Sequence, residues 1–169
     1  MARCKVGDIY CIPLSNNRCA ICQYVYDDRT GPMIRVLKQI FRKDQEINLN
    51  DLNPEELLFP PIITGLGAAI NKMGWKRIGF LPIESFEYPC FVTAYYDFLS
   101  GKARRWFLWK ENHEVELGNE LPRKYIDCEY MMVWSPQDVV KRIETGWYFP
   151  KYKEMMEKNY FTIQKKEDD

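Results

Sequence analysis

Lys5-Val6-Gly7-Asp8-Ile9-Tyr10-Cys11-Ile12-Pro13-Leu14, returning as Cys19-Ala20-Ile21-Cys22-Gln23-Tyr24-Val25-Tyr26, is the stretch on which the reading of the fold turns. Both runs are rich in β-branched and aromatic residues, which pack well on a pleated surface. Between them stands Ser15-Asn16-Asn17-Arg18, a set of turn formers. Strand residues on either side of a short polar turn predict a β-hairpin. Gly7 permits a sharp bend into the first strand, and Asp8 can accept from a nearby backbone N–H. Pro13 cannot donate to a ladder and marks an edge or a strand end. Few charged or nucleophilic groups lie here, so the hairpin reads as scaffold.

Downstream, Asp27-Asp28-Arg29-Thr30-Gly31-Pro32 is a second turn, and Met33 to Phe41 a third strand, with Ile34, Val36 and Ile40 on one alternating face and Arg35 on the other. Residues 42–56 change character. Asp44, Glu46, Asp51, Glu55 and Glu56 crowd a segment broken by Asn48, Asn50, Asn53 and Pro54. It reads as a long surface loop, or as one short helix starting near Asn53-Pro54. Ile62 to Met73 is ambiguous. Leu66, Ala69, Ile70 and Met73 suit a helical face, but Gly65 and Gly67 weaken a helix by roughly 1 kcal/mol each. The balance favours an irregular, bulged strand.

Gly74-Trp75-Lys76-Arg77-Ile78-Gly79-Phe80-Leu81-Pro82 reads as a short strand bracketed by glycine and proline, with Trp75 as a core anchor. Phe91 to Tyr96, Arg104 to Trp109 and Glu114 to Leu117 follow as strands joined by turns at Ser100-Gly101 and Glu111-Asn112-His113. Trp106 and Trp109 point to opposite faces, so at least one should be partly exposed. Arg104-Arg105-Trp106 resembles a base-stacking run, but an amphipathic strand accords better with a balanced charge. Tyr125 to Trp134 closes the β region. Ser135 then caps a helix with Pro136 in its first turn, an apolar face of Val139, Val140 and Ile143, and Gly146 as its C-cap. Pro150 opens a second helix through Tyr152, Met155, Met156 and Asn159, and the tail frays from about residue 162. The expected architecture is α+β in a single domain: a curved antiparallel β-sheet or partly open barrel with two C-terminal helices.

At 169 residues the chain fits one domain and buries enough surface to need no staple. Twenty-four basic side chains balance twenty-four acidic ones, which weighs against a general nucleic-acid binder. Met1-Ala2-Arg3-Cys4 has no apolar signal core and no run is long enough to span a bilayer, so the expected compartment is the cytoplasm. Six cysteines, at 4, 11, 19, 22, 90 and 128, are then expected as free thiols. Cys19 and Cys22 spell CxxC, but on a strand residues three apart face opposite ways, and a zinc site usually needs four ligands. The single histidine, His113, sits in a charged turn. No metal site, catalytic residue or cofactor is expected from these groups.

Lys5 to Leu14, followed by Asn17 and the Tyr24-Val25 strand, resembles the opening of the immunity protein 26 family. Gly74-Trp75-Lys76-Arg77-Ile78-Gly79 resembles that family's tryptophan-containing strand. Cysteines at 11, 19 and 22 depart from the ordinary strand residues expected there. The resemblance implies a small cytoplasmic protein that binds and neutralises a cognate bacterial toxin, expected to be a nuclease delivered by a neighbouring cell. The alternatives are a phosphoester hydrolase, since some relatives carry a phosphotriesterase label, and a small nucleic-acid-binding barrel. Metal-assisted hydrolysis would need more histidines than one. For the toxin contact the candidate residues are Asp44, Glu46, Asp51, Glu55 and Glu56, because long insertions on a sheet scaffold often carry binding function.

Overall fold

The computed structural model describes residues 4–97 and 99–161. The fraying expected from about 162 lies outside those residues. In chain order the strands and helices are β1 (Asp8–Pro13), β2 (Arg18–Asp28), β3 (Gly31–Arg42), β4 (Ile62–Thr64), α1 (Leu66–Met73), β5 (Lys76–Phe80), β6 (Phe91–Asp97), β7 (Lys102–Lys110) and β8 (His113–Gly118). They continue with β9 (Leu121–Pro122), β10 (Glu129–Tyr130), β11 (Val133–Trp134), α2 (Pro136–Thr145), α3 (Pro150–Asn159) and β12 (Tyr160–Phe161). The fold is α+β, and the chain divides into two compact units.

The first unit runs to Tyr88 and resumes over Met132–Trp147. Its sheet has the order β11-β4-β3-β2-β1-β5. The opening hairpin forms as its residues dictate. Asn16 and Asn17 both take left-handed backbone, φ 55° and 54°, the paired conformation that matches the twist of the flanking strands. Tyr10, Ile12, Ala20, Cys22, Ile34 and Val36 are buried on one face; Ile9, Cys19, Ile21 and Leu37 are buried on the other. Cys19 and Cys22 therefore lie on opposite faces, as strand alternation requires. Gly7 has φ 99°, and a Cβ there would overlap the Phe80 ring and stand 2.9 Å from the Leu81 carbonyl oxygen. Asp8 beside it is buried, so the Gly-Asp pair closes the base of the sheet.

The second unit comprises Pro89–Met131 and the chain from Tyr148. Its sheet has the order β10-β6-β7-β8, and β9 pairs with β12. Glu111 and Asn112 repeat the left-handed pair, φ 46° and 69°, between β7 and β8. Val92, Ala103, Trp106, Leu121, Tyr130, Met155 and Met156 form its core. A bulge at Arg104, where Tyr95 pairs with Arg105 and Tyr96 with Ala103, lets Ala103 and Trp106 share that core despite their odd spacing.

The α+β class with C-terminal helices is as expected. Neither of the larger sheets closes into a barrel, and both mix antiparallel ladders with one parallel pair, β11 with β4 and β10 with β6. Several finer expectations are corrected. Residues 66–73 form a helix, not a bulged strand. Gly65 is its N-cap and Gly67 lies in its first turn, so neither pays the interior cost charged to it, while Leu66 and Ala69 are buried and Gly74 caps the end at φ 69°. Tyr125 to Trp134 is no single strand: two short strands flank Met131-Met132, where the chain passes between units. Trp106 and Trp109 are both buried, at 0% and 3% exposure. Cys90 and Cys128 are disulfide-bonded, with Cα atoms 5.0 Å apart. Phe91 and Glu129 are partners in the parallel β6–β10 pair, which brings the preceding residues side by side, a proximity that thiol chemistry alone does not reveal. By contrast α2 is capped as predicted: Ser135 Oγ accepts from Asp138 N at 3.1 Å, and Gly146 has φ 68°.

Candidate functional site

Segment 42–58 crosses the face of the first unit's sheet that carries Ile9, Cys19, Ile21 and Leu37. Its apolar residues explain why it stays there. Leu52 is buried in that cluster, and Ile47, Leu49 and Leu57 pack against it. Backbone bonds fasten the far end: Lys38 N donates to Glu56 O at 2.8 Å, and Leu58 N to Val36 O at 2.9 Å. The Gln39 side chain fastens the middle, donating to Asp51 O at 3.0 Å and accepting from Asn53 N at 2.8 Å. Asn48 caps a 3-10 turn over Leu49–Asp51 by accepting from Asn50 N at 3.1 Å. The loop alternative thus stands, and no helix starts at Asn53-Pro54.

With Leu49, Leu52 and Leu57 facing the sheet, the segment turns its carboxylates outward: Asp44, Glu46, Asp51, Glu55 and Glu56 are all exposed. They occupy different settings. Arg42 grips Asp44 through two bonds of 3.2 and 3.0 Å. Glu56 accepts from Asn53 Nδ2 at 3.1 Å. Glu55 accepts from Ser85 Oγ at 2.8 Å and lies 3.9 Å from Arg35 Nη1. Glu46 and Asp51 have no ion pair among the described residues.

Arg35 is the part of this surface that sequence reasoning passed over. It is buried, donates from Nε to Gln23 Oε1 at 2.9 Å, and reaches the Ser85 carbonyl at 3.4 Å. Gln23 in turn donates to Leu81 O at 2.9 Å. Burial pulls the Arg35 guanidinium below its ordinary value, and the Glu55 charge opposes that shift. The chain of groups Leu81, Gln23, Arg35, Glu55 and Ser85 ties the acidic segment to the strands beneath. Its signal in the sequence was a charged residue within an apolar strand, pairing with Gln23 on the neighbouring strand.

A second buried polar group sits at the base of the hairpin. Asp8 accepts from Arg77 Nε at 2.7 Å, Lys5 N at 3.0 Å and Tyr10 Oη at 3.3 Å. Burial alone would raise its carboxyl; the Arg77 and Lys5 bonds, the Arg77 charge and the Tyr10 bond outweigh it and hold the group below the ordinary carboxylate value. These partners are structural. Trp106, the proposed stacking ring, is fully buried, and Arg105 pairs with Glu116 at 3.5 Å. That run offers no platform for bases. His113 is the exposed first residue of β8. Among the described residues no three His, Cys, Asp or Glu side chains are grouped to hold a metal ion. Among the described residues no helix is long and apolar enough to cross a membrane.

What the acidic segment offers chemically is a set of carboxylates on a fixed backbone, acceptors for cationic groups. No curated protein and no solved structure matches the chain. The family model for immunity protein 26 matches residues 5–104, which takes in the hairpin, the Gly7-Asp8 base, the acidic segment and the Trp75 strand. That match spans more than half of the sequence, and the chain belongs to the immunity protein 26 family.

Proposed function

We propose that this chain binds and neutralises a cognate bacterial toxin in the cytoplasm, by association and not by catalysis, and that the 44–56 surface forms much of the contact. The observation that carries the proposal is the double character of that segment. Its leucines are packed on the sheet while its five carboxylates face solvent, so the charges are displayed on a backbone that loses little freedom on binding. A nuclease toxin fits this surface best. Its cleft must be basic to hold phosphates, and displayed carboxylates compete for the same cations. Steering of this kind raises association rates by ~10–1000-fold at low salt.

The test is co-expression. The toxin domain encoded beside this chain is induced in cells with or without it. Survival only when the chain is present is the expected outcome. Equal killing with the folded chain present would contradict the proposal.

A further inference from the structure

The acidic segment does not cover the whole of its sheet face. Leu49, Leu52 and Leu57 close one part; towards the hairpin tip the cover stops and leaves a cleft of about 440 Å³. Cys11 and Cys19 form its floor, Ile47 stands on one wall, and Ile78 of the edge strand β5 on the other. Lys43 and Lys76 stand at its rim. No carboxylate lines the cleft, and neither lysine is paired with one among the described residues. Burial pushes the Cys11 thiol up to about 12; the hydrogen-bonded Cys19 adds to the rise, and the charges of Lys43 and Lys76 oppose it. Lys43 and Lys76 line the cleft together with the two cysteines, so a bound anion would meet both ammonium groups beside an apolar floor.

We propose that this cleft binds a small amphiphilic carboxylate, its tail on the Cys11–Cys19 floor between Ile47 and Ile78 and its carboxylate between Lys43 and Lys76. The volume falls within the range of small-molecule sites, about 300–1000 Å³, and admits a tail of about eight to ten carbons. An apolar floor whose charged lining residues are both cationic selects for a tail with one anionic head. A cationic amphiphile would meet two like charges, and a small hydrophilic anion would gain nothing from the floor. Lys43, Gln45 and Ile47 of the cleft belong to the acidic segment, but no carboxylate lines the cleft, and the proposal does not rest on the toxin reading.

The experiment is calorimetric titration of the full chain with octanoate and decanoate below their micellar concentrations, with octylamine as the control. Saturable one-to-one binding is expected for both acids. Decanoate should bind more tightly, by about two- to fourfold per added methylene. Octylamine should give no saturable heat. Lys43→Gln with Lys76→Gln should weaken octanoate by about tenfold or more, since each charged bond lost is a strong one. Both lysines are exposed, so folding should survive, and circular dichroism checks that it does. Ile78→Asp, on the exposed wall, should weaken binding independently. Octylamine binding as well as octanoate, full affinity in the double lysine variant, or no saturable heat with either acid would each overturn the proposal.

Discussion

Replacing Cys90 and Cys128 together by alanine should cost this protein about 4 kcal/mol. The two sulfurs close a loop with a sequence separation of 38. In the chain-entropy model, closing such a loop removes about 13 cal/mol/K from the unfolded ensemble, which is ~4 kcal/mol at 25 °C. Native geometry asks little in return, because the Cα separation of 5.0 Å lies within the ordinary range and the two residues already flank a parallel pair. For a domain whose whole stability is about 5–15 kcal/mol, the loss is large. The assay is equilibrium urea denaturation of parent and double variant under non-reducing conditions, with thiols counted in denaturant. The parent should show four reactive thiols, Cys4, Cys11, Cys19 and Cys22. Six reactive thiols in the unreduced parent, or a double variant within about 1 kcal/mol of it, would refute the reasoning. Disulfides are rare in a reducing cytoplasm. If the chain works there, the pair would stand as thiols and its stability would be that of the variant.

Gly7→Ala should destabilise by about 1–3 kcal/mol, from strain at left-handed backbone and overlap with the Phe80 ring; unchanged urea midpoints would show that Phe80 swings away freely. Asp8 predicts an acid limb. Its folded-state carboxyl lies below the unfolded value, so its contribution is present above the unfolded pKa and disappears as pH falls through the folded pKa. Asp8→Asn should therefore lower stability at neutral pH and flatten the decline below about pH 4, read from urea midpoints against pH; a variant with the parent's slope would remove Asp8 from the acid limb. Ser135→Ala should cost about 1 kcal/mol by leaving Asp138 N without its cap, and a Ser135→Thr variant should recover most of it.

Local chemistry was legible where it alone decides structure. Asn16-Asn17 makes its turn through tolerance of positive φ, and the Ser135, Pro136 and Gly146 signals act within one helix. The same local logic failed at Gly65 and Gly67, whose cost depends on where the helix starts: as N-cap and first-turn residue they cost less than in the interior. Long-range pairing was not legible at all. Nothing in a thiol's neighbours brings Cys90 beside Cys128; the parallel register of β6 and β10 does. The acidic residues of 42–56 stood out by composition. The leucines that hold the segment to the sheet did not, because Ile47, Leu49, Leu52 and Leu57 follow no helical or strand period. Arg35 was placed on the correct face, but its burial depends on Gln23, Ser85 and Glu55, which lie 12, 50 and 20 residues away in sequence.

The central claim is that the outward carboxylates of the 44–56 segment hold a toxin. Its most direct test is the dissociation constant for a toxin domain against which this chain protects cells, measured for the parent and for Asp51→Lys, Glu55→Lys and Glu56→Lys combined, with circular dichroism to confirm folding. Truncating one side of a buried charge pair costs about 2–5 kcal/mol, mostly through the off-rate. The predicted result is a loss of at least that size, together with loss of protection in cells. A folded triple variant that binds and protects as well as the parent would contradict the claim and remove this segment from the interface.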